Sequence, residues 1–116
     1  MITLFGLKNC DSSRAAKKWL KLNSLDFQFI DVRATPPSVG KINDWCDQAG
    51  WETVLNRRGR AWRMISADQR ADLIQEKAID LMSKYPLLIK RPVIEGGKNL
   101  VVGFSADVQE SLPSNF

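Results

Sequence analysis

At 116 residues and 13.1 kDa, with 44% hydrophobic and 26% charged residues, the chain has the make-up of one globular domain that buries a core without staples. Two cysteines and no histidine exclude a disulfide framework and argue against a metal site, and no apolar run reaches the roughly 20 residues of a membrane span. The formal charge is only +4, yet Arg57, Arg58, Arg60 and Arg63 crowd together, and Trp62 is the one aromatic residue among them. A solvated basic face or an anionic small molecule explains that cluster, whereas the sparse aromatic interleaving argues against nucleic acid. The N-terminus lacks the basic segment, long apolar stretch and small-residue cleavage site of a signal peptide, so a cytoplasmic protein with no membrane partner is expected.

The chain opens on Ile2, Thr3, Leu4 and Phe5, an apolar run too short for an ordinary helix and stopped by Gly6, which predicts a buried strand. Cys10 follows a short loop. Asp11 or Ser12 is placed to cap a helix in which Ala15, Ala16, Trp19, Leu20 and Leu22 recur near helical spacing while Lys17, Lys18 and Lys21 face outward. Asn23 and Ser24 end it, and residues 25–32 predict a second strand. Such a βαβ unit makes the two strands parallel and leaves the Cys10 loop at the carboxyl end of the first.

Thr35, Pro36 and Pro37 then break the pattern, which is helical from there to Tyr85. Val39, Ile42, Trp45, Cys46 and Ala49 follow steps of three and four, placing Cys46 in the core, and Gly50 is a natural stop. Residues 51–56 predict a short helix or turn, and residues 57–60 a basic loop. Ser66 with Gln69 resembles a capping box, opening helical sequence whose apolar faces come from Leu73, Ile74, Ala78, Ile79, Leu81 and Met82. Residues 87–94, the pair Gly96 and Gly97, and residues 100–102 predict a β-hairpin, and Ser105 caps a last helix through Val108 and Leu112. The order is βαβ, an all-helical insertion over about residues 36–86, then ββα.

A thiol placed just before a helix faces backbone N–H groups without intrahelical partners, at the end where aligned peptide dipoles favour negative charge. Cys10 is therefore a candidate nucleophile, the alternative being a half-buried structural cysteine. The layout, with a cysteine after the first strand, resembles the thioredoxin fold with a helical insertion, an α/β architecture on a mixed four-stranded sheet. More specifically, it resembles the arsenate reductase (ArsC) family, which also holds the Spx regulators and the small YffB-type proteins. The matches are Gly6, Leu7, Lys8, Asn9, Cys10 and Asp11; Gly50, Trp51 and Glu52, followed by Leu55, Asn56, Arg57, Arg58 and Gly59; and Ile89, Lys90, Arg91, Pro92 and Val93. Together they point to the YffB-type branch.

The resemblance implies that Cys10 is the nucleophile, that Arg91 belongs to an oxyanion pocket, and that Pro92 is held in cis beside the thiol. It also implies a second pocket arginine from the insertion, matched best by Arg58 with Arg57 close behind. Arg14 aligns with an arginine four residues after the nucleophile, and Asn9 and Ser13 line the same turn. Arginine's planar fork of donors suits a tetrahedral oxyanion or a carboxylate, and its fixed charge also favours a thiolate.

Two departures shape the expectation. Where the family's arsenate reductases carry a third pocket arginine after the hairpin, this chain reads Val102, Gly103, Phe104 and Ser105, which argues against efficient arsenate reduction. Where Spx regulators carry a second cysteine three residues beyond the first, this chain has Ser13, which argues against an internal redox switch. A phosphatase-type loop is excluded because Ala16 stands where its arginine would be. The resulting expectation is a monomeric thiol reductase with no bound cofactor, using glutathione as co-substrate on a small oxyanion or disulfide, with glutaredoxin as a further partner. The competing expectation is a non-enzymatic, Spx-like regulator that binds RNA polymerase.

Overall fold

Ile2 and Leu4 point to one face of a strand and Thr3 and Phe5 to the other, and this strand, β1 (Ile2–Gly6), is the axis of the sheet. The computed structural model describes every residue, Met1–Phe116, as two compact units: Met1–Thr35 with Arg91–Phe116, and Pro36–Lys90. The first unit holds β1, β2 (Phe27–Asp31), β3 (Val93–Glu95) and β4 (Val101–Val102) in the spatial order β2-β1-β3-β4. β1 runs parallel to β2, with Ile2 opposite Phe27, and antiparallel to β3, with Phe5 opposite Val93; β3 and β4 are antiparallel. The helices in chain order are α1 (Asp11–Leu22), α2 (Val39–Ala49), α3 (Trp51–Val54), α4 (Arg60–Met64), α5 (Ala67–Arg70), α6 (Gln75–Lys84) and α7 (Ala106–Asn115). None is long and apolar enough to cross a membrane.

On one face of the sheet, Ile2, Leu4, Ile94 and Val101 pack against Ala16 and Leu20 of α1 and Leu112 of α7, with Phe27, Phe29 and Phe116 closing the margins. Burying each of the large aliphatic side chains stabilises the fold by about 1.5–3 kcal/mol. Asn115 clasps the β3–β4 turn, its Oδ1 accepting from the Asn99 N–H at 2.7 Å and its Nδ2 donating to the Asn99 carbonyl at 3.1 Å. In the second unit α2 packs against α3 and α6 around Ile42, Trp45, Cys46, Val54 and Met82, all buried. Ser38 caps α2 by accepting from the Lys41 N–H at 3.1 Å, and Gly50, at φ 89°, ends it.

Several boundaries differ from the sequence-based expectation. Cys10 itself is the N-cap of α1, rather than Asp11 or Ser12. The second strand starts at Phe27 because the Leu25 N–H is taken by the Leu20 carbonyl at 3.0 Å in the turn leaving α1. Arg60 opens α4 instead of closing a basic loop. The Ser66–Gln69 capping box is complete, but the helix behind it ends at Arg70, and Asp72, at φ 52°, turns the chain. Leu73 and Ile74 therefore precede α6, and Ile74 is 61% exposed. The first strand of the expected hairpin shortens to Val93–Glu95, since Pro86–Leu88 forms a 3-10 turn and Ile89 makes an isolated bridge with Leu55.

Two leucines of α1 check this packing. Leu20 is fully buried and Leu22 is 73% exposed. Leu20→Ala is expected to destabilise the protein by about 2–5 kcal/mol, and Leu22→Ala by less than about 0.5 kcal/mol, in urea denaturation.

Candidate active site

β1 delivers the chain to a loop, Leu7 to Asn9, and the loop to Cys10 at the start of α1. Asn9 is exposed and Cys10 half-buried. Cys10 makes no side-chain capping hydrogen bond of ordinary geometry, so the first turn of α1 is left without the oxygen cap that a serine or aspartate would supply. That vacancy suits an anion.

Ser13 is the residue that exploits it. It lies in the first turn of α1, is fully buried, and accepts a hydrogen bond from the Leu7 N–H at 3.2 Å. Its hydroxyl and its backbone N–H both act on Cys10 to favour the thiolate. Gly6 makes the arrangement possible, because a Cβ there would sit 2.4 Å from the Ser13 hydroxyl oxygen.

Arg91 reaches the same sulfur from the other end of the sequence. The β1–β3 register sets Phe5 opposite Val93, which carries Arg91, two residues earlier, alongside the loop that follows β1. The Arg91–Pro92 peptide is cis, as the resemblance implies, and the Pro92 carbonyl accepts from the Gly103 N–H at 2.8 Å, which ties this corner to the end of β4. Partial burial alone pushes the Cys10 thiol up. Hydrogen bonds from the Ser13 hydroxyl and amide, then the hydrogen bond and charge of Arg91, outweigh it and hold the thiol below its ordinary value. Cys46 shows the opposite case: burial, then the charge of Asp47, pushes its thiol up to about 11.

The other candidates are placed as follows. Arg14 is exposed and its guanidinium pairs with Asp11, so the structure engages it there rather than at the sulfur. Arg58 belongs to the second unit, where its N–H donates to Asn56 Oδ1 at 3.0 Å and its carbonyl accepts from Arg63 Nη1 at 3.3 Å. Arg57 lies over the Trp51 ring at 5.7 Å and pairs with Glu52 at 3.6 Å. Of the two arginines, Arg58 is the one these local contacts leave unused.

Sequence reasoning missed Asp31. Its carboxylate accepts from the Arg33 N–H at 2.8 Å and the Ala34 N–H at 3.2 Å. The Ala34 and Arg33 amides, and then the amide and charge of Lys8, hold this carboxyl below its usual range. Asp31 thereby joins the end of β2 to the loop before Cys10. The readable signal was an aspartate ending a strand just before a turn, where its oxygens accept from amides two and three residues on.

The ArsC family model matches residues 5–112. The chain belongs to the ArsC family. It is similar over its whole length to the solved structure of the YFFB protein, at 36% identity and a TM-score of 0.91, each chain being covered completely. An arsenate reductase (ArsC) related protein from Brucella melitensis is 32% identical with a TM-score of 0.74, over 95% of this chain and 92% of that one. The global transcriptional regulator Spx of Lactiplantibacillus plantarum is 30% identical over 116 residues, which cover 97% of this chain and 87% of Spx. The mixed sheet with its helices is thus the thioredoxin-like fold of the ArsC family, and the family contains both arsenate reductase-like proteins and regulators.

Two substitutions test the Ser13 contact. Ser13→Ala removes the hydroxyl but leaves the burial, so the Cys10 pKa should rise and the alkylation rate near neutral pH should fall by about tenfold. Gly6→Ala should shift the rate against pH the same way by displacing the hydroxyl, although it removes no polar atom. An unshifted profile in both variants would show that Ser13 does not tune the thiol.

Proposed function

We propose that this ArsC-family protein is a glutathione-dependent thiol reductase that works through Cys10 alone. The observation that carries this reading is the placement of Cys10 as the N-cap of α1 beside buried Ser13, with Arg91 brought alongside by the β1–β3 register, an environment that lowers the thiol pKa against the effect of burial. A thiol with an enlarged thiolate fraction is a nucleophile at rest.

On a disulfide, the Cys10 thiolate attacks one sulfur. A Cys10–substrate disulfide forms, the original S–S bond breaks, and the second half leaves as a thiolate. A glutathione thiolate then attacks the substrate sulfur of that adduct, releasing the Cys10 thiolate and a glutathione–substrate disulfide; each step exchanges one S–S bond for another. On arsenate the same thiolate attacks arsenic, an S–As bond replacing an As–O bond whose oxygen leaves as water. Two electrons from Cys10 and glutathione then release arsenite and leave a Cys10–glutathione disulfide, which a second glutathione reduces; the missing third arginine argues against high efficiency. Arg91 holds the oxyanion or a glutathione carboxylate, and the resemblance extends that role to Arg58. Cys46, buried and with its thiol pushed up to about 11, is unsuited to resolving the adduct, and Ser13 occupies the place of a second cysteine. An outside thiol is therefore required, and small anionic glutathione, or glutaredoxin in its place, meets the requirement.

The 30% identity to Spx favours a second reading, a non-enzymatic partner of RNA polymerase. Turnover separates the two. Reduction of a small mixed disulfide should proceed with glutathione as the only reductant and fall at least about a thousandfold in Cys10→Ser, while Cys46→Ser keeps full activity. Turnover unaffected by Cys10→Ser would refute the reductase. Capture of RNA polymerase by a protein with no turnover would establish the regulator.

A further inference from the structure

The exposed face of α1 carries more charge than the site uses. Arg14, Lys17, Lys18 and Lys21 lie four, seven, eight and eleven residues after Cys10, so the four share one face of the helix that Cys10 caps. With Leu22, the four cations line a shallow open groove of about 420 Å³. Lys17 is fixed there, its ammonium 3.5 Å from the centroid of the Phe29 ring. Asp11, paired with Arg14, is the only carboxylate in α1, and Asp26 shares a neighbouring shallow groove with Lys21. The nucleophile therefore stands at one end of a basic track.

Resting on the assignment of Cys10 as a nucleophile toward sulfur, we propose that this track docks the acidic segment of a partner polypeptide beside that partner's own reactive cysteine. The eleven residues from Cys10 to Lys21 span about 16 Å of helix. Extended chain covers that distance in about five residues. The preferred partner thus carries glutamate or aspartate within about five positions of its cysteine. A track of three lysines and one already paired arginine supplies point charges for steering, rather than free planar forks for bidentate phosphate binding. The groove itself has no aromatic lining for stacking a base, and the Phe29 ring beside it is covered by Lys17. These features favour an acidic peptide over a nucleic acid.

Three peptides test the idea, each a cysteine followed by a glycine and four glutamates, four glutamines or four lysines, and each activated as a mixed disulfide with thionitrobenzoate. The Cys10 thiolate attacks the peptide sulfur, the Cys10–peptide disulfide forms, and the pair of electrons of the broken S–S bond leaves on coloured thionitrobenzoate. At an ionic strength of about 10 mM, where the Debye length is about 30 Å, the glutamate peptide should react about tenfold faster than the glutamine peptide, and the lysine peptide slower than both. The preference should vanish near 1 M salt, where the Debye length is about 3 Å. In the double variant Lys18→Gln, Lys21→Gln the preference should drop to about threefold or less, with the glutamine-peptide rate unchanged.

Equal rates for the three peptides at low salt, or a preference that survives in the double variant, would overturn the docking track while leaving the nucleophile intact. Failure of all three peptides to react would remove the nucleophile and the track together. Salt-sensitive binding of oligothymidylate that is lost in the double variant, with no glutamate preference, would assign the track to nucleic acid and overturn the proposal.

Discussion

The site depends on one hydroxyl. Ser13 is fully buried, its oxygen accepts from the Leu7 N–H, and its hydroxyl and amide favour the Cys10 thiolate. A buried hydroxyl without partners would cost the fold free energy, and the Leu7 amide supplies one. Gly6 leaves the room, α1 supplies the amide, and the β1–β3 pairing brings in Arg91. The burial that makes the hydroxyl strong also raises the thiol pKa, and the site works because donors outweigh desolvation. Cys46 has the same chemistry without donors and is pushed the other way.

Function follows from which donors are present. Serine at position 13 cannot form a disulfide with Cys10, so the residue that tunes the thiolate also leaves it without an internal resolving partner. In the proposed mechanism a solitary activated thiol would hand its adduct to another thiol, and the basic face of α1 runs away from Cys10. In the proposed reductase, the segment Gly6 to Lys21, with Arg91, would account for activation and for dependence on an outside partner together.

Much of the fold was legible in the sequence because local signals agreed with tertiary demands. The Ile2–Phe5 run, the apolar stripe of α1, the stop at Gly50 and the cap at Ser105 each obey one simple rule. The misplaced features come from competition. Asp11 and Ser12 are better caps than cysteine, but using Cys10 keeps its sulfur next to unpartnered amides. Residues 87–94 read as one strand because they are apolar, yet Pro86 starts a 3-10 turn and the backbone of Ile89 and Lys90 pairs with Leu55 and Val54. Leu73 and Ile74 fit a helical stripe by spacing, and the turn at Asp72 removes them from it. At the site, Cys10 and Arg91 were readable as residue types, whereas the buried hydroxyl linking them depends on a glycine, a serine and an amide whose proximity is a property of the folded chain.

The central claim is that Ser13 and Arg91 hold the Cys10 thiol below its ordinary pKa, and ultraviolet titration of thiolate absorbance tests it directly. The protein should show one thiol titrating below the ordinary cysteine value of about 8.5 and a second near 11, belonging to Cys46. The lower step should disappear in Cys10→Ser and the upper one in Cys46→Ser. A Cys10 step at or above about 8.5 would contradict the account.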